Sequence, residues 1–274
     1  MLRPQVYAFL AGRLTSQYFF TANRFTYIRS IMNPTTMGPV KEHMDNAKAE
    51  LKLIPETEKH WLCGGNRSIG IAATLLQQNK VIAVPTDTIY GLACLASSTE
   101  AIERLYQIKK RDERKPVAIC LSNVKDVTQW AVTDNLPSCL LEKLLPGPYT
   151  IILKHKSNLN PALNPDIDNI GIRVPSSRFM RSIAKIVGPI ALTSANISNK
   201  PSTLYPDEFS MLWPELDGIF YDLTCMKRTN AHRVGSTVVD LSQPGFYKIV
   251  RHGIAAHIIL GIMQKAGLIS ITDE

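Results

Sequence analysis

Hydroxyls, amides and cations gather in four short stretches of this 274-residue chain. Residues 85–91, PTDTIYG, set two threonines around Asp87 and follow them with Tyr90. In an extended segment alternate side chains share a face, so Thr86, Thr88 and Tyr90 point one way and Asp87 the other. Residues 108–116, IKKRDERKP, carry Lys109, Lys110, Arg111, Arg114 and Lys115. Cations are favourable at a helix C-terminus. Five so close together nevertheless repel unless an anion answers them, and Asp112 and Glu113 answer only part of that charge. The arginine fork suits phosphate or carboxylate, which makes a nucleotide or an amino acid the natural ligand class.

Residues 192–198, LTSANIS, supply Thr193, Ser194 and Asn196 in a turn of the kind that forms an anion-binding nest. In HRVGSTVVD, residues 232–240, Gly235 allows close approach to the backbone while Ser236 and Thr237 offer donors. Any one of these stretches also reads as an ordinary polar turn. All four fall at the ends of expected strands, where the ligand sites of open α/β sheets collect.

Other chemistries lack their signatures. The chain has no GxxxxGK[ST] loop, no GxGxxG after a strand, no GxSxG elbow and no HExxH pair. Six histidines (43, 60, 155, 232, 252 and 257) are scattered without a carboxylate at a useful spacing. The five cysteines form no CxxC pair, no zinc-site spacing and no disulfide framework, which points to reduced, mostly buried thiols. An enzyme built from this sequence works by positioning and charge stabilisation rather than through a covalent intermediate.

The elements that must hold these stretches alternate. A helix covers 69–79, a wholly apolar strand Val81–Pro85, and a helix Thr99–Lys109. Strand Val117–Leu121 follows, then short helices at 126–132 and 138–144 and a rigid turn, LPGP, at 145–148. Beyond it come strands Tyr149–Lys154 and Ile170–Val174, helix Arg178–Val187, strand Ile190–Thr193, helix Pro206–Trp213 and strand Gly218–Tyr221. Strands Thr237–Leu241 and Tyr247–Arg251 and a helix from Ile254 close the chain. This order predicts one α/β domain on a twisted mixed sheet flanked by helices. Its expected limits are 67–265, after a linker at 41–66 and before a tail at 266–274.

The formal charge of +8 is concentrated at the N-terminus. Residues 1–41 hold Arg3, Arg13, Arg24, Arg29 and Lys41 and no acid, leaving 26 basic against 23 acidic residues elsewhere. The body is therefore nearly balanced and gives little support for binding a phosphate backbone. Residues 1–40 combine spaced arginines, hydroxyls and apolar residues as a mitochondrial transit peptide does, the alternative being an ordinary disordered basic leader. Met32 and Met37 offer internal starts for a cytosolic form, so mitochondrion and cytoplasm are both expected. No apolar run approaches the roughly 20 residues of a membrane span.

The motifs PTDTIYGL, Lys109-x-Arg111 with Lys115-Pro116, LPGPYT, GIRVP, TSAN and GSTVVD, with Arg251 in IVRHG, stand in the order of the YrdC family, which the chain resembles over residues 67–265. The resemblance implies a YrdC-like domain around a large, positively lined cavity. It also implies a nucleotidyltransferase that joins L-threonine, bicarbonate or CO2, and ATP into threonylcarbamoyl-AMP and pyrophosphate, with Mg2+ accompanying the ATP. By the family's motifs, Thr88, Arg173 and Ser236 hold threonine. Lys109, Arg111, Lys115, Ser194, Asn196, Ser202 and Arg251 hold ATP, with Lys109 and Arg111 the catalytic pair. The implied partner is a tRNA threonylcarbamoyl transferase, of KEOPS type in the cytosol and with a mitochondrial counterpart.

Three positions depart from the family pattern: Lys110 replaces a glycine, Asp222-Leu223-Thr224 replaces Asp-Gly-Gly, and Ser198-Asn199 replaces Ser-Gly. Two competing readings are a non-catalytic module that binds RNA weakly through the same basic cavity, and a carbamoyl-handling relative with another substrate. The lack of an aromatic platform counts against RNA.

Overall fold

The computed structural model describes residues 59–110, 116–197, 200–222 and 229–271. The strands are β1 (His60–Leu62), β2 (Ile82–Val84), β3 (Gly91–Leu95), β4 (Ala118–Cys120), β5 (Tyr149–Lys154), β6 (Asn169–Arg173), β7 (Ile190–Ser194), β8 (Gly218–Tyr221), β9 (Thr237–Asp240), β10 (Phe246–Arg251) and β11 (Ile269–Ser270). They join in the order β1-β8-β2-β3-β7-β4-β6-β5-β9-β10-β11. Parallel pairs such as β4·β6 and β5·β9 occur beside antiparallel ones such as β3·β7 and β5·β6, so the sheet is mixed, as expected.

The α-helices are α1 (Gly65–Gln77), α2 (Thr99–Lys109), α3 (Val127–Trp130), α4 (Leu140–Leu144), α5 (Arg178–Val187) and α6 (Ala256–Lys265). The sequence sets their ends. Ser98 and Ser177 accept hydrogen bonds from Ala101 and Met180, capping α2 and α5. Helix α5 stops at Gly188, which adopts φ 86°. Lys110 ends α2 in the left-handed conformation at φ 47°, ψ 45°. A Cβ makes this conformation costly, a cost that the glycine expected here from the resemblance would avoid.

Side-chain alternation divides the core between the two sheet faces. Ile82, Val84, Ala93, Cys120 and Leu192 pack with Ile71 and Leu76 of α1 and Met180 and Ile183 of α5. Val81, Ala83, Leu92, Cys94 and Ile119 face Ile102, Leu105 and Ile108 of α2. Burying each large aliphatic side chain contributes about 2 kcal/mol. Helices α1 and α5 lie against each other and against β2, β3 and β4. Beyond them the same face continues over β6, β5, β9 and β10 and lines a cavity.

Three elements differ from the sequence-based expectation. Residues 60–62, placed in a linker, form β1 against β8, with His60, Trp61 and Leu62 opposite Ile219, Phe220 and Tyr221. Residues 269–270, placed in a tail, form β11 against β10. Strand β3 was not anticipated at all. Pieces of two or three residues show no period-2 pattern, and β3 is apolar throughout; partner strands specify all three.

Candidate functional site

A cavity of about 460 Å³ opens on the sheet face beyond α5. Its wall follows strand alternation: Thr150 and Ile152 from β5, Asn169, Gly171 and Arg173 from β6, Leu192 and Ser194 from β7, Val238 and Asp240 from β9. Small residues at Gly91, Ala118 and Gly171 leave the floor low. A Cβ added at Gly171 would lie 3.1 Å from the Thr150 methyl and 3.3 Å from the Ala118 Cβ. Ser236 and Arg251 complete the polar end.

Arg173 is the best-anchored cation. Its Nη2 donates to Asp87 Oδ1 at 2.8 Å and to Thr88 Oγ1 at 3.1 Å. Asp87 Oδ2 in turn accepts from the Ser176 amide at 2.9 Å. The Nε of Arg173 is buried and has no hydrogen-bond partner. Buried donors are ordinarily satisfied, so this one marks an acceptor still to come. Arg251 sits at the opposite rim. Its Nη2 donates to Ser236 Oγ at 2.9 Å and its Nε to the Ser236 carbonyl at 3.1 Å. Desolvation, and secondarily the nearby Arg173 charge, hold its pKa below the ordinary arginine value. Ser236 Oγ also shares a 2.8 Å hydrogen bond with Thr150 Oγ1. Two guanidinium groups on one cavity favour an anion between them.

The structure places the expected site residues unequally. Arg173, Ser194, Ser236 and Arg251 all line the cavity. Thr88 does not: the 85–90 segment bends, bringing Thr88 Oγ1 to 3.2 Å from Thr86 Oγ1 beneath Arg173. Thr86 takes the place on the wall. The bend also cancels the alternation expected of an extended segment, because Asp87 and Thr88 meet the same guanidinium.

Lys109, expected on phosphate, is fully buried and absent from the wall. Its ammonium donates to the Ser194 carbonyl and, at 2.6 Å, to that of Asn196. Satisfying those turn carbonyls is what draws the charge inward. Asn196 closes its own loop, its Nδ2 donating to the Ile197 and Lys200 carbonyls at 2.9 and 2.6 Å. Ser202 is half-buried, and its carbonyl accepts from Arg233 at 2.9 Å. Arg111 and Lys115, with the Ser198-Asn199 and Leu223-Thr224 departures, lie outside the described residues.

Thr150, Asn169 and Asp240 line the cavity and were not singled out from the sequence. Their signal was present as i, i+2 alternation within strands: Thr150 with Ile152, Asn169 with Gly171 and Arg173, and Asp240 with Val238. Asn169 Oδ1 is a buried acceptor without a partner, alongside the unmet Arg173 Nε donor. Among the described lining residues the charged ones are Arg173, Arg251 and Asp240, and none is His or Cys. Among the described residues no group of three or more His, Cys, Asp or Glu side chains could hold a metal ion. No helix there is long and apolar enough to cross a membrane.

A mixed α/β sheet carries a basic-rimmed, hydroxyl-lined cavity with neither His nor Cys on its described wall, an arrangement suited to an anionic ligand. A family model of Sua5/YciO/YrdC proteins, described as "Telomere recombination", matches residues 74–253, and the chain belongs to this family. A Bos taurus protein named threonylcarbamoyl-AMP synthase is 43% identical over 208 residues, covering 75% of each chain. The Homo sapiens protein of the same name is 42% identical over 209 residues, again covering 75% of each. The fold is also that of P. abyssi Sua5 solved in complex with L-threonine, with a TM-score of 0.67 at 24% identity. That match covers 78% of this chain and 62% of the Sua5 chain, so the present protein spans about three fifths of it.

Proposed function

We propose that this protein is an L-threonylcarbamoyladenylate synthase, a nucleotidyltransferase that makes threonylcarbamoyl-AMP and pyrophosphate from L-threonine, bicarbonate or CO2, and ATP. The observation that carries this reading is the convergence of Arg173 and Arg251 on one cavity among hydroxyl-bearing residues, with an unmet donor on Arg173. The names of relatives at 42–43% identity support it.

The chemistry asks the protein for little beyond placement. The threonine amine bonds to the carbon of CO2 and loses a proton, giving a carbamate. A carbamate oxygen then bonds to the α-phosphorus of ATP while the bond to the β-phosphate oxygen breaks and pyrophosphate leaves. The substrates are anions, and bringing them together is the main barrier. Arg173 suits the threonine carboxylate, with Ser236 beside it. Arg251 and Ser194 suit the nucleotide. Mg2+ would arrive with the ATP and neutralise phosphate charge, and Asp240, the one carboxylate on the described wall, would be the side chain there able to meet it.

The product serves a separate transferase that modifies the adenosine beside the anticodon of tRNAs reading codons that begin with A. Residues 1–40 direct one form to mitochondria, and initiation at Met32 or Met37 leaves another in the cytosol. A reporter fused to residues 1–40 that stayed diffuse in the cytosol would overturn this assignment.

The decisive experiment supplies purified protein with ATP, Mg2+, bicarbonate and threonine in the absence of RNA. The expected result is a threonylcarbamoyl-AMP mass that disappears when threonine or bicarbonate is omitted. Lack of that product would refute the proposal. A carbamoylated adenylate formed equally well from serine would instead identify the relative with another substrate.

A further inference from the structure

We infer that Arg233, which contacts no assigned substrate residue's side chain, is a positioning residue that braces the two polar walls of the cavity against each other. Its guanidinium reaches three segments. Nη1 donates to the Ser202 carbonyl at 2.9 Å and to Glu208 Oε2 at 2.8 Å, and Nη2 donates to Glu208 Oε1 at 2.6 Å. Nε donates to Asn230 Oδ1 at 3.1 Å within its own 3-10 turn, Asn230–Val234.

Each segment leads directly into a wall. The Ser202–Leu204 stretch is fastened to the TSAN loop through Thr203 Oγ1, which donates to the Ala195 carbonyl at 3.0 Å. It is fastened to the PTDTIYG turn by the Tyr90 amide, which donates to the Thr203 carbonyl at 3.0 Å. Glu208 Oε2 also accepts from the Leu204 amide at 2.8 Å, fixing that stretch from its other side. On the opposite wall Arg233 stands three residues before Ser236, across Val234 and Gly235, whose φ of 71° turns the chain into the cavity. One side chain thus spans from the loop presenting Ser194 to the turn presenting Ser236 and, through Ser236, Arg251.

Arg233 and Glu208 are 29% and 24% exposed, so their pairing adds modestly to stability. Its consequence is geometric. The bidentate fork fixes both distance and orientation, which lysine's single ammonium does not.

The substrate side of this inference rests on the proposed function. The test compares the parent protein with Arg233→Met and Arg233→Lys at a temperature where thermal melts show each folded. Calorimetry gives Kd for a non-hydrolysable ATP analogue, and product formation gives KM for threonine and kcat. Arg233→Met is expected to weaken analogue binding and raise the threonine KM by about tenfold each, with kcat nearly unchanged. Arg233→Lys should recover part of both. Values for Arg233→Met within about twofold of the parent, or a loss confined to kcat, would overturn the brace. A parent protein that binds the analogue but makes no threonylcarbamoyl-AMP would refute the function instead, and the Kd comparison would still decide the role of Arg233.

Discussion

Arg173 and Asp87, 86 residues apart in the chain, form a buried ion pair at 2.8 Å in which each side chain is 9% exposed. The second carboxylate oxygen of Asp87 holds the Ser176 amide, just before helix α5. Asp87 therefore orients the guanidinium, and it ties the turn after β2 to the end of β6. Replacing Asp87 by Asn leaves a buried cation without its counter-charge. We expect a stability loss of about 3 kcal/mol in urea unfolding. The threonine KM should rise more than the ATP KM, because the anchor serves Arg173; equal changes in the two would remove Asp87 from the threonine subsite.

Gly253 lies against the backbone of the cavity wall. A Cβ there would be 2.2 Å from both the Ser236 carbonyl carbon and the Thr237 nitrogen. These are main-chain atoms and cannot rotate aside, so Gly253→Ala must shift Ser236 and with it Arg251. The expected outcome is destabilisation of about 2 kcal/mol or more, with weakened binding of the ATP analogue. A variant matching the parent in both melting temperature and Kd would contradict the packing described.

Lys110 holds a left-handed conformation at the end of α2. Lys110→Gly relieves that strain and should stabilise the protein by about 1 kcal/mol. For a domain of this size this corresponds to a rise of about 3 °C in Tm. A calorimetric scan checks it, and a lower Tm would mean that the lysine side chain makes a compensating contact.

Burial pushes the Cys94 and Cys120 thiols from 9.0 up to about 12, and the Arg173 charge near Cys120 does not offset it. At pH 8 iodoacetamide should alkylate exposed Cys139 in the folded protein and leave both core thiols intact, as peptide mass mapping would reveal. Because the unfolded thiols ionise first, unfolding releases protons above pH 9. Their contribution is fully present below that pH and is lost as pH rises towards 12. Urea midpoints that stayed level from pH 9 to 11 would contradict this.

Helices α2 and α5 were legible with their full bounds, because each pattern lies within a dozen positions, whereas the Ser98 and Ser177 caps emerged from the structure. Strands β2, β5 and β8 were legible as apolar runs of ordinary strand length. Strand β1, paired with β8 over three residues, was not, since its hydrogen bonds come from residues about 160 positions away. The motif residues Arg173, Ser194, Ser236 and Arg251, far apart in the chain, line one cavity.

Local spacing thus specifies helices, caps and the kinds of group available to a site. It does not say which of those groups face the cavity. Thr88 and Lys109 are absent from its described wall, while Thr86 and Thr150 line it. Such choices are made by buried partners distant in sequence: Arg173 draws Asp87 and Thr88 together, and the Ser194 and Asn196 carbonyls draw in Lys109. A buried polar group must find its partner wherever the fold brings one, and that requirement operates across space rather than along the chain.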